Sequence, residues 1–244
     1  MKTRLDNYLV ARGNAETRAK ARDAIMRGCV TVDGVTASKA GLLVSDHAHV
    51  VVQDDAMQFV SRGGLKLAAA LDHFGYACES KTILDVGAST GGFTDVCLQR
   101  GAARVYAVDV GHGQLHPRIA ADPRVVNLEG CDIRMASAHI PAPCDAIVAD
   151  VSFMSLSHAL APAMELAAGN SWLIALAKPQ FEVGPQHVGK RGIVRDAQAR
   201  EAAVERLRLL IAGAPGWHVD GVMLSPLAGG SGNIEFLIGA RIGD

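Results

Sequence analysis

Apolar residues along this chain fall into short runs separated by helical patterns. Ile83-Leu84-Asp85-Val86, Val105 to Val108, Val125 to Leu128, Cys144 to Val151, Trp172 to Ala177, His218 to Leu224 and Ile234 to Ile238 each read as a strand. Between them lie helix-forming stretches, notably Leu65 to Leu71 and the segments near 154–168 and 196–213. Seven strands alternating with helices predict an α/β fold, a mostly parallel sheet covered on both faces.

The first sixty residues have a different rhythm. Leu5, Tyr8 and Leu9 recur at helical spacing, as do Ala21, Ala24 and Ile25 after Thr17, a good N-cap. Gly28 can close that second helix, and Val30-Thr31-Val32 runs into Asp33-Gly34, a hairpin-turn pair. After Val50 to Val52 the acidic turn Asp54-Asp55 suggests a boundary between about 54 and 62. Two domains are expected, residues 1–60 and 61–244.

The strand ends carry the chemistry, because ligands of open α/β sheets bind beyond the carboxyl ends of the strands. Asp85, Asp109, Asp132, Asp150 and Lys178 all fall at or near such ends. The loop after the first strand reads Gly87-Ala88-Ser89-Thr90-Gly91-Gly92, and the next strand closes on Asp109, an acid that can grip two ribose hydroxyls. A dinucleotide fingerprint requires a glycine for the pyrophosphate where Ser89 stands. The loop therefore predicts a nucleoside-containing ligand without a pyrophosphate. Lys66 lies in the first turn of its helix, where a cation is electrostatically unfavourable, so either a purpose other than helix stability keeps it there or it is an ordinary surface lysine.

Charge sharpens the division. Residues 1–39 hold eight basic side chains against four acids, a net +4, so the −1 of the whole chain leaves −5 for the remainder. A basic module on a mildly acidic body is the footprint of an end that meets phosphate. With 49% hydrophobic and 20% charged residues, a substantial core is expected. Five cysteines without a C-x-x-C pair fit small buried hydrophobes better than disulfides or a metal site. No apolar run approaches the roughly 18 residues that span a bilayer, and the N-terminus has no signal-like segment, so a cytoplasmic protein with no stable membrane insertion is expected.

Residues 4–44 resemble an S4 RNA-binding domain at Arg4-Leu5-Asp6, Arg18, Ala21, Ile25, Gly28, Val30 and Val32-Asp33-Gly34. The resemblance implies that Arg4, Arg18, Lys20, Arg22 and Arg27 face folded RNA. The pattern D-x-G-x-S-x-G from Asp85 to Gly91 resembles the first motif of S-adenosylmethionine (SAM) methyltransferases. SRGGLKL, DVGASTGGFTD, DVGHGQL, VADVSF, AKPQFEVG and SGNIEF resemble the TlyA, or hemolysin A, group of FtsJ-type 2′-O-ribose methyltransferases. That resemblance implies a Rossmann-like, seven-stranded SAM methyltransferase sheet with an antiparallel last strand, joined to a small α+β S4 domain.

It also implies roles. Lys66, Asp150, Lys178 and Glu235 match the family's tetrad, with Lys178 as proton acceptor and Glu235 just inside the last strand. Asp85, Gly87, Ala88, Ser89, Gly91, Gly92 and Phe93 would surround SAM, with Asp109 on its ribose and Asp132 at its adenine edge. Phe153 is expected in the core, with a place near the methionine portion or the target base as the alternative. The implied reaction is methylation of a cytidine 2′-hydroxyl in ribosomal RNA, of the large subunit more than the small. Two other readings stand beside it: an RNA-binding assembly factor with an idle methyltransferase fold, and a cytolysin.

Overall fold

The computed structural model describes residues 2–229 and 231–243, and its internal contacts separate two units, 1–61 and 62–244. The first unit contains β1 (Lys2–Arg4), α1 (Leu5–Ala11), α2 (Arg18–Met26), β2 (Val30–Val32), β3 (Val35–Thr36), β4 (Leu43–Ser45) and β5 (Val50–Val52). Thr17 caps α2 by accepting a hydrogen bond from the Lys20 backbone N–H. Asp33 and Gly34 both take positive φ, the geometry of a tight turn whose twist matches its strands, and join β2 to β3. β2 also pairs with β5, and β1 with β4. Leu5, Leu9 and Ile25 are fully buried in this unit's own core. Each contributes roughly 1.5–3 kcal/mol relative to exposure.

The second unit contains α3 (Gly63–Phe74), β6 (Thr82–Val86), α4 (Gly92–Gln99), β7 (Arg104–Asp109), α5 (Pro117–Ala120), β8 (Val125–Glu129) and β9 (Cys144–Ala149). It continues with α6 (Leu156–Met164), β10 (Ala167–Ala177), α7 (Pro179–Glu182), α8 (Ala197–Ala212), β11 (Trp217–Leu224) and β12 (Phe236–Ile242). One sheet runs in the order β11-β12-β10-β9-β6-β7-β8, and only β12 opposes its neighbours. This is the seven-stranded SAM methyltransferase arrangement. The central strands β6 and β9 are apolar almost throughout because helices cover both their faces.

Two boundaries depart from the hydrophobic pattern. The helix expected to 168 ends at Met164, and β10 begins at Ala167, with a register irregularity before Trp172. β12 starts at Phe236, so Ile234 is 40% exposed and Glu235 stands just outside the strand rather than inside it. Cys78, Cys97 and Cys144 are buried, Cys29 and Cys131 half-buried, and all five are free. Among the described residues no helix is long and apolar enough to cross a membrane.

Candidate active site

Sheet register places the charged side chains. Val86 pairs with Ala149, Ala149 with Ala175, and Ala177 with Phe236. The residues that follow or precede these partners, Gly87, Asp150, Lys178 and Glu235, therefore emerge side by side at one edge. Gly87 has a positive φ, and a Cβ there would lie 2.7 Å from the Asp150 carbonyl oxygen. Its missing side chain lets two strand ends close on each other.

The four tetrad residues meet as two ion pairs. Lys66 Nζ donates to Glu235 Oε2 at 2.5 Å, with side-chain exposures of 6% and 3%. Gln180 Nε2 reaches the other oxygen of Glu235 at 3.5 Å. The carboxylate offsets the cost of a cation in the first turn of α3. Lys178 Nζ lies 2.5 Å from Asp150 Oδ1 and donates to Ser152 Oγ at 2.6 Å. This second pair is more open, at 11% and 23%.

Beside it lies a cavity of about 340 Å³, lined by Gly87, Ser89, Asp109, Asp132 and Asp150 among others. Its size and mixed lining suit a small cofactor. Ser89 adopts φ +47 where a dinucleotide site has glycine. Asp109 Oδ2 accepts from the Ser89 backbone N–H and Oδ1 from that of Gly111. Asp132 is held down to about 2 by the Arg134 guanidinium and by the Arg134 backbone N–H. An acid-walled cavity favours a cation over a pyrophosphate.

Five residues expected around the cofactor lie outside this lining. The Asp85 carboxyl is fully buried, accepts from Thr94 Oγ1 at 2.6 Å, and has an Oδ1 that meets no donor among the described residues. Burial pushes it up to about 7, against the Thr94 hydrogen bond and with help from the Asp150 and Asp109 charges. Ala88 and Phe93 are buried. Gly91 makes room for packing, since a Cβ there would lie 2.8 Å from Leu115 Cδ1, and Gly92 opens α4.

Phe153 contradicts the core expectation. It lines the cavity yet is 92% exposed, at φ +66, a region costly for a bulky residue. The loop that carries it is fastened to α7, which follows β10. Phe153 meets Phe181 with ring centroids 5.6 Å apart and planes tilted by 50°, and Glu182 accepts from Ser155 Oγ and from the Leu156 backbone N–H. Sequence reasoning missed Ser152, Gln180, Glu182 and Gln114, although all four sit in the strings VADVSF, AKPQFEVG and DVGHGQL quoted for other residues.

In the first unit Arg4 and Arg18 converge on Asp6, whose carboxylate is buried and held far below its ordinary range, chiefly by the Arg4 hydrogen bonds. Both arginines keep about half of their side chains in solvent, at 48% and 59%. Arg22 is exposed. Lys20 bonds Glu16 and the Phe59 carbonyl. Arg27 is fastened to Asp54 and Asp23 and is only 19% exposed, so it is spent on the fold.

A model of the FtsJ-like methyltransferase family matches residues 59–242, and an S4 domain model matches 3–50. The chain is 44% identical over 242 residues to a Mycobacterium tuberculosis protein named 16S/23S rRNA (cytidine-2′-O)-methyltransferase TlyA, covering 98% of this chain and 90% of that one. It is 40% identical to Hemolysin A of Brachyspira hyodysenteriae, covering 96% and 98%. A solved Streptococcus thermophilus structure with a provisional hemolysin name superposes with a TM-score of 0.76 at 38% identity, covering 100% of this chain and 89% of that one.

Proposed function

The chain belongs to the FtsJ-like methyltransferase family and carries an S4 domain, and on that premise we propose that it is a cytoplasmic enzyme that methylates the ribose 2′-hydroxyl of a cytidine in ribosomal RNA. The large subunit is the preferred target, since 23S RNA is named for both the Mycobacterium tuberculosis relative and a Campylobacter jejuni relative 34% identical over 179 residues. The observation that carries the reading is the position of Lys178, bound to Asp150 of the cavity wall and to Ser152.

SAM, when bound, supplies a methyl group on a cationic sulfonium. Gly87, Ser89, Asp109 and Asp132 would hold it, and the carboxylates of the cavity suit its charge. A ribose hydroxyl becomes a competent nucleophile as its proton leaves, so a base must stand beside it. Lys178 Nζ, entering the step as the neutral amine after its ammonium proton has left to solvent, accepts that proton. Asp150 and Ser152 aim the amine, and the more open setting of this pair lets an RNA hydroxyl reach it. With SAM held in the cavity, the ribose oxygen would take the methyl group as the methyl–sulfur bond breaks, and the hydroxyl proton would end on Lys178.

Phe153 offers a solvent-facing ring beside the cavity, on which a splayed base stacks. Arg4, Arg18 and Arg22 offer exposed guanidiniums to RNA phosphate, while Lys20 and Arg27, 20% and 19% exposed and bonded within their own unit, offer less. Transfer of tritium from methyl-labelled SAM to separated large and small subunits and to free ribosomal RNA tests the reading. Label on a cytidine 2′-oxygen of the large subunit is the expected result. No transfer to any of these RNAs by protein that binds SAM would leave the assembly-factor reading in its place.

A further inference from the structure

The loop between β7 and α5 is anchored more firmly than a surface connection requires. Asp109 and Glu129 are register partners at the ends of β7 and β8. Asp109 accepts from the backbone N–H groups of Ser89 and Gly111, at 2.8 and 2.7 Å. Glu129 Oε1 accepts from those of Gln114 and Leu115, at 2.6 and 3.0 Å, and Oε2 accepts from Asn127 Nδ2 at 3.0 Å. These donors hold the Glu129 carboxyl down to about 2, Asn127 foremost. Leu115 fills the space left by Gly91.

The result is to fix one polar side chain. Gln114 lines the cavity, and its Oε1 accepts from Ser89 Oγ at 3.2 Å. Its amide lies across Gly111: a Cβ at 111 would sit 1.9 Å from Gln114 Nε2 and 3.1 Å from Asp109 Oδ1. Gln114 and Asp109 therefore flank one spot on the cavity wall. Each Asp109 oxygen already accepts a backbone N–H and keeps one further lone-pair direction. A carboxylate can only accept, whereas a side-chain amide both donates and accepts, so the two groups together can satisfy a vicinal diol in both senses.

Resting on the cofactor reading of the cavity, we propose that Gln114 is a second ligand of the SAM ribose, sharing the diol with Asp109 and held in place by Glu129. Glu129 is then a positioning residue that touches the loop and not the cofactor.

Isothermal titration of the full chain with S-adenosylhomocysteine, and with its 2′-deoxy and 3′-deoxy analogues, tests this. Gln114→Ala is expected to bind S-adenosylhomocysteine roughly five- to tenfold more weakly, the loss of one neutral hydrogen bond. The wild type should lose a similar factor on one of the deoxy analogues, and Gln114→Ala should lose nothing further on that one. Gly111→Ala, which pushes the amide aside, should reproduce the loss with the Gln114 side chain still present. A Gln114→Ala variant that binds like the wild type, or whose loss adds in full to that of both deoxy analogues, overturns the inference while the cofactor reading stands. A wild type that binds no S-adenosylhomocysteine overturns both.

Discussion

The two lysine–carboxylate pairs of the catalytic unit contain the same chemistry in different surroundings. Lys66 and Glu235 are sealed, at 6% and 3% exposure, with Gln180 on the remaining carboxylate oxygen. Asp150 lines a cavity, and Lys178 is bound to it and to the hydroxyl of Ser152, which lines the same cavity. A sealed pair can fix geometry but cannot exchange a proton with a nucleotide that never reaches it. On that difference the proposed proton transfer falls to Lys178, with a supporting part for Lys66 and Glu235.

The largest expected effect breaks the open pair. Lys178→Ala should lower kcat by about 10²- to 10⁴-fold, the usual worth of a positioned base, with S-adenosylhomocysteine affinity and melting temperature near wild type. Single-turnover methyl transfer on ribosomal subunits measures it. A variant with full transfer would return the base to some other group. The sealed pair should fail differently. Glu235→Gln leaves Lys66 buried without its counter-charge, and stability should fall by about 3–5 kcal/mol in urea unfolding. Lys66→Met with Glu235→Leu should regain most of that loss, because removing both charges removes the uncompensated one. If Glu235→Gln proves as stable as the wild type, the seal is not what the pair supplies.

A third carboxyl sharpens the contrast by pH. Buried Asp85 keeps its proton to about pH 7 in the folded protein, against an ordinary value of 3.8. Between those values the folded state binds more protons than the unfolded, so stability falls as pH rises through the window, by up to a few kcal/mol at about 1.4 kcal/mol per unit. The groups that face it are Thr94, which favours ionisation, and Asp150 and Asp109, which oppose it. Asp85→Asn should flatten the decline of melting temperature from pH 4 to 7. An unchanged slope would place the titration elsewhere.

Much of this was legible in the sequence where residue type and position coincide. β6 and β9 are continuous apolar runs because both their faces are covered, and each leads directly into a loop glycine or acid. The partition of the tetrad was not legible. It depends on Ala177 facing Phe236, and hence on β12 beginning after Ile234, whose hydrophobicity alone places it inside the strand. Orientation was equally hidden. Asp85 and Asp109 both belong to strand ends, yet one carboxyl is fully buried beneath the loop and the other lines the cavity. Arg27 looks like its exposed neighbours until Asp54, 27 residues away, is found against it.

Phe153 tests the open side most finely. Aromatic residues are usually buried, and only the backbone, at φ +66, turns this ring to 92% exposure. That costs backbone strain and hydrophobic burial together, and Phe181 offers a tilted ring contact in return. A ring kept in solvent at that cost, in the segment that also holds Asp150 and Ser152, is what the proposed base stacking requires. Phe153→Ala should therefore weaken the interaction with the target nucleotide by about 1–3 kcal/mol, the range for stacking a base on an aromatic. The loss should appear in kcat/KM for ribosomal subunits, while S-adenosylhomocysteine affinity and stability hold near wild type. A variant that loses stability and cofactor affinity but keeps its kcat/KM for RNA would make the ring a packing element of the cavity wall.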